Sequence, residues 1–380
     1  MPSYTPVINT VAIALVIATL ISFITTPLVR SLAFKIGAVD VPKDNRRMHK
    51  DPIPRIGGLA IFTGFVISSL IFLPVTTQFQ GLLIGAVIIV ILGIFDDIYE
   101  LPAKPKFCVQ IIAAVVAAAH GNVISILSNP NIFSTEPYWK LGILAIPFTV
   151  IWIVAITNAV NLIDGLDGLA CGVSTISSMT MLVIALTVSE SHVAIMLGAL
   201  VGACLGFLPY NFNPAKIFMG DTGSTFLGFV LAVASIQGLF KLSAIVSFAV
   251  PFLILGLPIF DTCFAIMRRI ATGRSPMSAD REHIHHRLID MGLSQKQAVA
   301  TLYVISAILG LSAVVLATSG VVRAMVFFSA FCIALAIASK IFLPPSMEEE
   351  TLPTKNESSK TEDNSLVLEV SQTEEKEDDI

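Results

Sequence analysis

Acidic and amide side chains fall in a few short clusters between long apolar stretches. The clusters are Asp96-Asp97, the run NAVNLIDGLD from Asn158 to Asp167, the run NFNPAKIFMGD from Asn211 to Asp221, the single Asp261, and the run DREHIHHR from Asp280 to Arg287. An ionisable residue at the edge of a bilayer is costly unless it has a partner or a task. The clusters therefore indicate a site at a membrane surface that handles a charged, metal-bound substrate.

The spacing in the second cluster is the most informative. Asn158, Asn161, Asp164 and Asp167 recur every three residues just beyond an apolar segment. On a helix or a helix-like turn this spacing places side chains along one stripe. Hard oxygen donors of this kind suit Mg²⁺ or Mn²⁺ and ribose hydroxyls. A capped helix start is the simpler interpretation, but it explains only one of the four polar groups.

The Asp96-Asp97 pair and the cluster that ends at Asp221 each permit both a structural and a chemical interpretation. Asp96 and Asp97 are adjacent carboxylates, with Lys104 and Lys106 close behind. They are either a solvated helix end or a pair that handles a divalent cation or a phosphate. Asp221 precedes an apolar segment, where it could cap a helix. A helix N-terminus also favours phosphate, and an acid beside it could hold the phosphate's Mg²⁺.

The basic and imidazole side chains suggest contacts with anions. His283, His285 and His286 lie within a few residues of Arg281. A zinc site would lack a cysteine there, whereas imidazole and guanidinium donors fit the clamping of a diphosphate and a sugar. Lys50, in the basic first loop, could neutralise a phosphate or could serve only to set the membrane topology.

The composition excludes an ordinary soluble protein. Of the 380 residues, 55% are hydrophobic and 13% are charged, about half the charged share of soluble domains. Apolar runs of about 20 residues recur along the chain, which predicts an all-α polytopic membrane protein. The first run reads as a transmembrane helix and not as a removable signal peptide. The eleven predicted spans are 7–29, 57–74, 81–98, 107–127, 141–157, 168–188, 193–209, 223–240, 245–265, 298–319 and 321–343.

The positive charges predict the orientation. Sixteen Lys and Arg residues lie in one set of loops and three in the other set. By the positive-inside rule the N-terminus is outside, the C-terminus is cytoplasmic, and every polar cluster faces the cytoplasm. Residues 1–345 form the predicted transmembrane domain. Residues 346–380, with twelve acidic residues and three lysines, form a predicted disordered cytoplasmic tail.

Taken in order, these motifs resemble the polyprenyl-phosphate N-acetylhexosamine-1-phosphate transferase family. The resemblance rests on the Asp96-Asp97 pair, NAVNLIDGLDGLA, FNPAKIFMGDTGS and the His-rich loop, and it covers residues 7–343. The loop sequence ADREHIHHRL is similar to the branch that transfers N-acetylglucosamine 1-phosphate to start cell-envelope glycans. The branch that uses UDP-N-acetylmuramoyl-pentapeptide usually carries three adjacent histidines there.

The resemblance implies a role for each cluster. Asp221 would be the leading Mg²⁺ ligand with Asn161 as a second, Mn²⁺ being an alternative ion. Asp96 and Asp97 would be the catalytic carboxylates near the lipid phosphate. The remaining substrate-binding residues would be Lys50, Asn158, Asp164, Asp167, Asn213, Arg281, His283, His285 and His286.

The implied reaction transfers N-acetylglucosamine 1-phosphate from UDP-N-acetylglucosamine to undecaprenyl phosphate at the inner plasma membrane. The implied partners are undecaprenyl phosphate, a UDP-N-acetylhexosamine and membrane lipids; no nucleic acid partner is expected, and a homodimer is left open. The alternatives are the pentapeptide branch, a transporter and a membrane scaffold. A transporter would place polar residues near the bilayer midplane and show an internal repeat. Neither feature is evident in the sequence.

Overall fold

The structure, a computed structural model, describes residues 5–41, 52–128, 138–238, 244–273 and 283–320, together with 323, 325 and 329. Lys50, Arg281, the tail 346–380 and most of the predicted span 321–343 lie outside the described residues.

The described residues form a helical bundle with two short antiparallel strand pairs. The helices are α1 (Thr5–Ile36), α2 (Gly58–Phe72), α3 (Thr77–Tyr99), α4 (Ala103–Ala119), α5 (Ala145–Leu162), α6 (Leu169–Thr187), α7 (Ser191–Asn211), α8 (Gly220–Gly238), α9 (Ala244–Ile254), α10 (Gly256–Ala271), α11 (Ile284–Asp290) and α12 (Gln295–Ser319). The strand pairs are β1 (Val39–Asp40) with β2 (Ile53–Pro54), and β3 (Ile126–Ser128) with β4 (Tyr138–Lys140). A 3₁₀ turn, Gly142–Leu144, leads into α5.

Six of the described helices are long and apolar enough to cross a membrane: α1, α3, α5 with its 3₁₀ turn, α6, α7 and α12. They confirm an all-α, multi-pass membrane protein. Three further predicted spans, 57–74, 107–127 and 223–240, coincide with α2, α4 and α8, of 15, 17 and 19 residues. The total of eleven spans and the orientation of the termini stay predictions.

The predicted span 245–265 is wrong as a single helix, because the chain breaks at Leu255 between α9 and α10. Pro258 has no N–H to donate to the carbonyl of Ile254, four residues earlier, so one helical hydrogen bond is lost at the break. The Ser177 hydroxyl of α6 donates to that carbonyl instead, at 3.0 Å. A broken helix is tolerated at membrane depth when a neighbour satisfies the freed group in this way. After the break, α10 packs against α5 and α12.

Close packing of α1 on α7 shows how the bundle is held. Gly198, Gly202 and Gly206, spaced four apart on α7, all face α1; a Cβ on Gly202 would lie 2.1 Å from the Leu15 carbonyl oxygen. Water exclusion does not drive helices together within lipid, so van der Waals contact between small residues carries much of the association. The backbone of α1 therefore lies directly on α7.

The strand β2 joins the first loop to the segment that precedes α8. Phe218 N–H donates to the Pro54 carbonyl at 2.8 Å, and Gly57 N–H donates to the Phe218 carbonyl at 2.9 Å. The PRIGG run of the first loop is thereby hydrogen-bonded to the FMGD run before α8. Two clusters that are more than 150 residues apart in sequence lie side by side.

Candidate active site

Helix α8 begins against the end of α3, and this junction brings three carboxylates together. Gly93 permits the approach, since a Cβ there would lie 2.3 Å from the Cα of Thr222. The Asp97 carboxylate accepts the N–H groups of Asp221 at 2.9 Å and Thr222 at 3.0 Å, and the Thr222 hydroxyl at 2.7 Å. The capping role considered for Asp221 thus belongs to Asp97, an acid from another helix. Asp97 holds the first turn of α8, and with it Asp221, in place.

Lys106 of α4 bridges the other two carboxylates of the junction. Its Nζ lies 2.6 Å from Asp96 Oδ2 and 3.3 Å from Asp221 Oδ2. Burial lowers the pKa of this ammonium, but the hydrogen bond to Asp96 and the charge of Asp221 outweigh it and raise the pKa above its usual value. The ammonium therefore stays charged. Asp96 also accepts the Leu101 N–H at 2.8 Å.

The end of α5 contributes the two asparagines. Asn161 Nδ2 donates to Asp221 Oδ1 at 2.9 Å and to the Ser224 hydroxyl at 2.8 Å. Asn158 Nδ2 donates to Gln110 Oε1 of α4 at 2.6 Å. The orientation of each amide is assigned from its hydrogen bonds. Asn161 therefore orients Asp221, while Asn158 joins α5 to α4.

The two acids that follow do not continue the asparagine stripe, since α5 ends at Leu162 and both lie on the turns before α6. No described residue donates a hydrogen bond to Asp164. Burial, together with the negative charges of Asp221, Asp97 and Asp167, raises the pKa of Asp164 to about 8. Such a group gains most from a bound cation or a hydroxyl donor.

Asp167, by contrast, is engaged with the segment after α7. Its Oδ2 accepts Asn213 Nδ2 at 2.9 Å and the Ala215 N–H at 3.0 Å. Asn213 Nδ2 also donates to Gln295 Oε1, at the start of α12, at 2.6 Å. Asp167 and Asn213 therefore connect three elements around one rim of the site.

The described part of the histidine loop also lines the site. His283 precedes α11 and its Nδ1 lies 2.8 Å from Asp261 Oδ2. His285 is buried against Gly165, and burial and the charge of His286 lower its pKa to about 4. The rings of His285 and His286 lie 4.3 Å apart. The described part of the loop thus reaches the turn that carries Asp164.

Two cavities meet among these residues. The first, of about 890 Å³, is lined mostly by apolar side chains of α4, α5 and α10, including Phe107, Ile111, Val154 and Ile266, with Asp96, Lys106 and His283 at one end. The second, of about 950 Å³, is lined by polar and charged residues that include Arg30, Asp40, Arg55, Asp167 and Asn213. The residues common to both linings are Asp164, Gly165, Asp221 and His286.

The oxygen donors at the meeting point fit Mg²⁺. No group of three His, Cys, Asp or Glu side chains able to hold an ion occurs within the described ranges. Mg²⁺ usually takes one or two protein carboxylates and completes its shell with waters and substrate phosphates. Asp221 and Asp164, to which no described residue donates a hydrogen bond, face the same space, with the amide of Asn161 beside them. That set provides such a partial shell.

Most predicted site residues with described positions line one of these cavities, although their roles stay predictions. Asp96, Asn158, Asn161 and His285 line the first, Asp164, Asp221 and His286 line both, and Asp167 and Asn213 line the second. Asp97 is the exception: it lines neither and contacts a third, smaller cavity with Arg55.

Sequence reasoning left three residues out of its site assignment: Lys106, Gln110 and Asp261. Lys106 and Gln110 are four residues apart on α4 and face the first cavity together. That spacing was the available signal. Asp261 was noted as a cluster, but nothing in the sequence connects it to His283.

The chain is similar to known membrane transferases. A model of glycosyl transferase family 4 matches residues 79–239. A Bacillus subtilis protein named a probable undecaprenyl-phosphate N-acetylglucosaminyl 1-phosphate transferase is 45% identical over 86% of this chain and 89% of its own length. A Mycolicibacterium smegmatis decaprenyl-phosphate N-acetylglucosaminephosphotransferase is 36% identical over 75% and 77%. A Staphylococcus aureus phospho-N-acetylmuramoyl-pentapeptide-transferase is 32% identical over 70% and 85%.

Proposed function

The chain belongs to glycosyl transferase family 4, and we propose that it transfers N-acetylglucosamine 1-phosphate from UDP-N-acetylglucosamine to undecaprenyl phosphate. UMP is the second product, and the lipid-linked sugar begins a cell-envelope glycan. The donor sugar follows the Bacillus subtilis and Mycolicibacterium smegmatis relatives, whose names specify N-acetylglucosamine. The excess of Lys and Arg in the loops that carry the clusters supports a site at the cytoplasmic face of the plasma membrane.

The main observation that supports the proposal is that an apolar cavity and a polar cavity meet at Asp221. A polyprenyl phosphate needs an apolar groove for its chain, with the phosphate at one end. A nucleotide sugar needs a polar site open to water. Each cavity falls within the usual range for small-molecule sites, roughly 300–1,000 Å³. The shared rim is where the two phosphates of the reaction would meet.

In the reaction, an oxygen of the lipid phosphate attacks the β-phosphorus of the donor, and the bond to UMP breaks. The second pKa of a phosphate monoester is about 6, so the nucleophile is already largely ionised near neutral pH. A strong general base is then unnecessary, and the main barrier is the repulsion between two anions. The residues of the junction must offset that charge.

The positions of the junction residues suggest their roles. Asp96 lines the apolar cavity and orients Lys106, whose ammonium would neutralise the incoming lipid phosphate. Asp97 lies behind the junction and supports Asp221 through the first turn of α8. Asp221 and Asn161, with Asp164 opposite, would hold Mg²⁺. When bound, the ion supplies positive charge to the diphosphate and to the leaving UMP.

The polar cavity would take the nucleotide sugar. Asp167 and Asn213 stand at its rim, and the histidine loop closes the side towards the apolar cavity. Lys50 and Arg281, which lie outside the described residues, remain proposed phosphate contacts on the first and last loops. This layout supports a direct displacement, because both substrates would bind at once.

The experiment measures UMP release by purified protein in detergent with Mg²⁺ and undecaprenyl phosphate. The donors to compare are UDP-N-acetylglucosamine, UDP-N-acetylgalactosamine and UDP-N-acetylmuramoyl-pentapeptide. Release from the first donor alone supports the proposal. Release from only the pentapeptide donor would keep the chemistry and overturn the sugar assignment. Folded protein that releases no UMP from any donor would overturn the proposed function.

A further inference from the structure

Asp261 is a buried carboxylate that the reaction above does not use. It lies on α10, beyond the helix break at Leu255, and it is 3% exposed. Its two oxygens have different partners: Oδ2 lies 2.8 Å from His283 Nδ1, and Oδ1 accepts the Ile284 N–H at 2.8 Å. A buried carboxylate with two short hydrogen bonds is held in one orientation. Asp261 therefore restricts the orientation of the His283 ring and the position of the Ile284 backbone.

The contact determines which nitrogen of His283 carries a proton. An ionised carboxylate can only accept, so Nδ1 must be the protonated nitrogen. Burial raises the cost of any charge on this carboxylate, but its hydrogen bonds favour the ionised form. The other nitrogen, Nε2, has no hydrogen-bond partner among the described residues, and the ring lines the apolar cavity at its polar end. His283 therefore presents one nitrogen to the substrate space.

Several titratable groups surround His283. Among the described residues, the titratable groups near it are His285, whose ring stacks at 5.8 Å, then His286 of α11, and Asp261 itself. Lys106, Arg269 and the acids Asp96, Asp164 and Asp221 line the same cavity. His285 is buried and has a lowered pKa, so it adds little positive charge. The Asp261 carboxylate holds the ring from the Nδ1 side, so Nε2 is the nitrogen available to a substrate phosphate.

We infer that Asp261 is a positioning residue for the reaction: it fixes the His283 ring so that Nε2 faces the phosphates of the donor. The inference rests on the proposed function. His283 touches the substrate, and Asp261 acts on the reaction through the His283 ring. The same carboxylate also anchors the start of α11 through Ile284, so its loss can affect the loop as well as the ring.

The test is a double-mutant cycle with Asp261→Asn and His283→Ala, scored by UMP release. Asn keeps an oxygen for the Ile284 N–H, so the loop stays anchored, but it removes the negative charge that holds the His283 ring in place. We expect Asp261→Asn to lower kcat by roughly 10- to 100-fold while KM for undecaprenyl phosphate stays within about twofold. In the His283→Ala background the same change should lower kcat by less than about twofold, because residues that act as a unit are not additive.

Two further variants distinguish an effect on the site from an effect on folding. Phe264→Leu changes the exposed face of the same helix, 61% exposed and away from both cavities, and should leave kcat unchanged. Asp261→Glu keeps the charge and should recover at least tenfold of the kcat that Asp261→Asn loses. Independent, multiplicative effects of the two substitutions would overturn the inference, as would Asp261→Asn protein with wild-type kcat. Absence of UMP release by the wild-type protein would instead overturn the proposed function.

Discussion

The two cavities that meet at Asp221 differ in what their walls offer a substrate. The first is bounded mostly by apolar side chains of α4, α5 and α10, and polar groups form a smaller part of its wall. The second is bounded by charged and amide side chains from the loops and the ends of helices. The first suits an isoprenoid chain, and the second suits a nucleotide. The reacting phosphates would lie at the boundary, where the apolar cavity meets the polar one.

The boundary itself has a fixed side and an open side. On the fixed side, Asp96, Asp97 and Asp221 all have hydrogen-bond partners within the protein. On the open side, Asp164 has no donor among the described residues, and His283 presents a free ring nitrogen. Groups that are already hydrogen-bonded need little reorganisation during the reaction. Charged groups held in place in this way stabilise a transition state most effectively. The open side is where substrate and ion would supply the missing partners.

The largest predicted effect comes from removing charge at the boundary. Asp221→Asn should lower kcat on the order of 10³-fold, because the group that would hold the ion and faces both cavities loses its charge. The protein should still fold, since Asn can retain the contacts to Asp97 through the backbone. Initial rates of UMP release measure the loss.

Glu190→Gln, at the start of α7 and outside both cavities, is the matched control. More than a tenth of wild-type activity in Asp221→Asn would remove Asp221 from the centre of the site.

A smaller effect should separate the apolar cavity from the polar one. Phe107→Ala removes a large apolar side chain from the first cavity. Losing about 1.5 kcal/mol of apolar contact should raise KM for undecaprenyl phosphate about tenfold. KM for UDP-N-acetylglucosamine should not change. An increase in the nucleotide KM instead would show that the cavities are assigned to the wrong substrates.

The converse substitution should act on the polar cavity. Asn213→Ala removes the amide that joins Asp167 to Gln295. A lost hydrogen bond is worth about 1 kcal/mol, so KM for UDP-N-acetylglucosamine should rise about fivefold. KM for undecaprenyl phosphate should remain that of the wild type. Varying each substrate in turn gives both KM values. Equal changes in the two KM values would contradict the assignment of one substrate to each cavity.

The smallest effect concerns the acidic tail, which neither cavity includes among its described lining residues. Removing residues 346–380 should change kcat and both KM values by less than about twofold, since a segment of this composition buries little apolar surface. The same UMP assay on truncated and full-length protein measures this. A truncated protein that folds but is inactive would show that the tail takes part in the reaction.

Much of this arrangement could be predicted from the sequence, because the chemistry lies in clusters with short internal spacing. The apolar runs placed most helices, and the ordered motifs identified residues around the boundary. The break at Leu255 could have been inferred from Pro258, but a proline alone does not show whether a neighbouring hydroxyl will replace the lost bond.

Contacts between distant segments could not be inferred in the same way. Asp97 caps α8 across 124 residues of sequence, and this depends on the close approach that Gly93 permits. The bond from Asp261 to His283 depends on the direction that α10 takes after the break. These contacts arise from packing and leave no local pattern in the sequence. They also explain why Asp97, placed beside Asp96 by spacing, faces away from both cavities.

The most direct test of the account follows the phosphorus atom that is transferred. UDP-N-acetylglucosamine labelled with ³²P at the β-phosphate is mixed with undecaprenyl phosphate, Mg²⁺ and the purified protein, and the organic phase is counted. The account predicts label in the lipid fraction only when both substrates are present, and almost none with Asp221→Asn. Label that becomes attached to the protein without the lipid would contradict a direct displacement at the shared boundary. Active protein that leaves all label in water-soluble products would contradict the transfer itself.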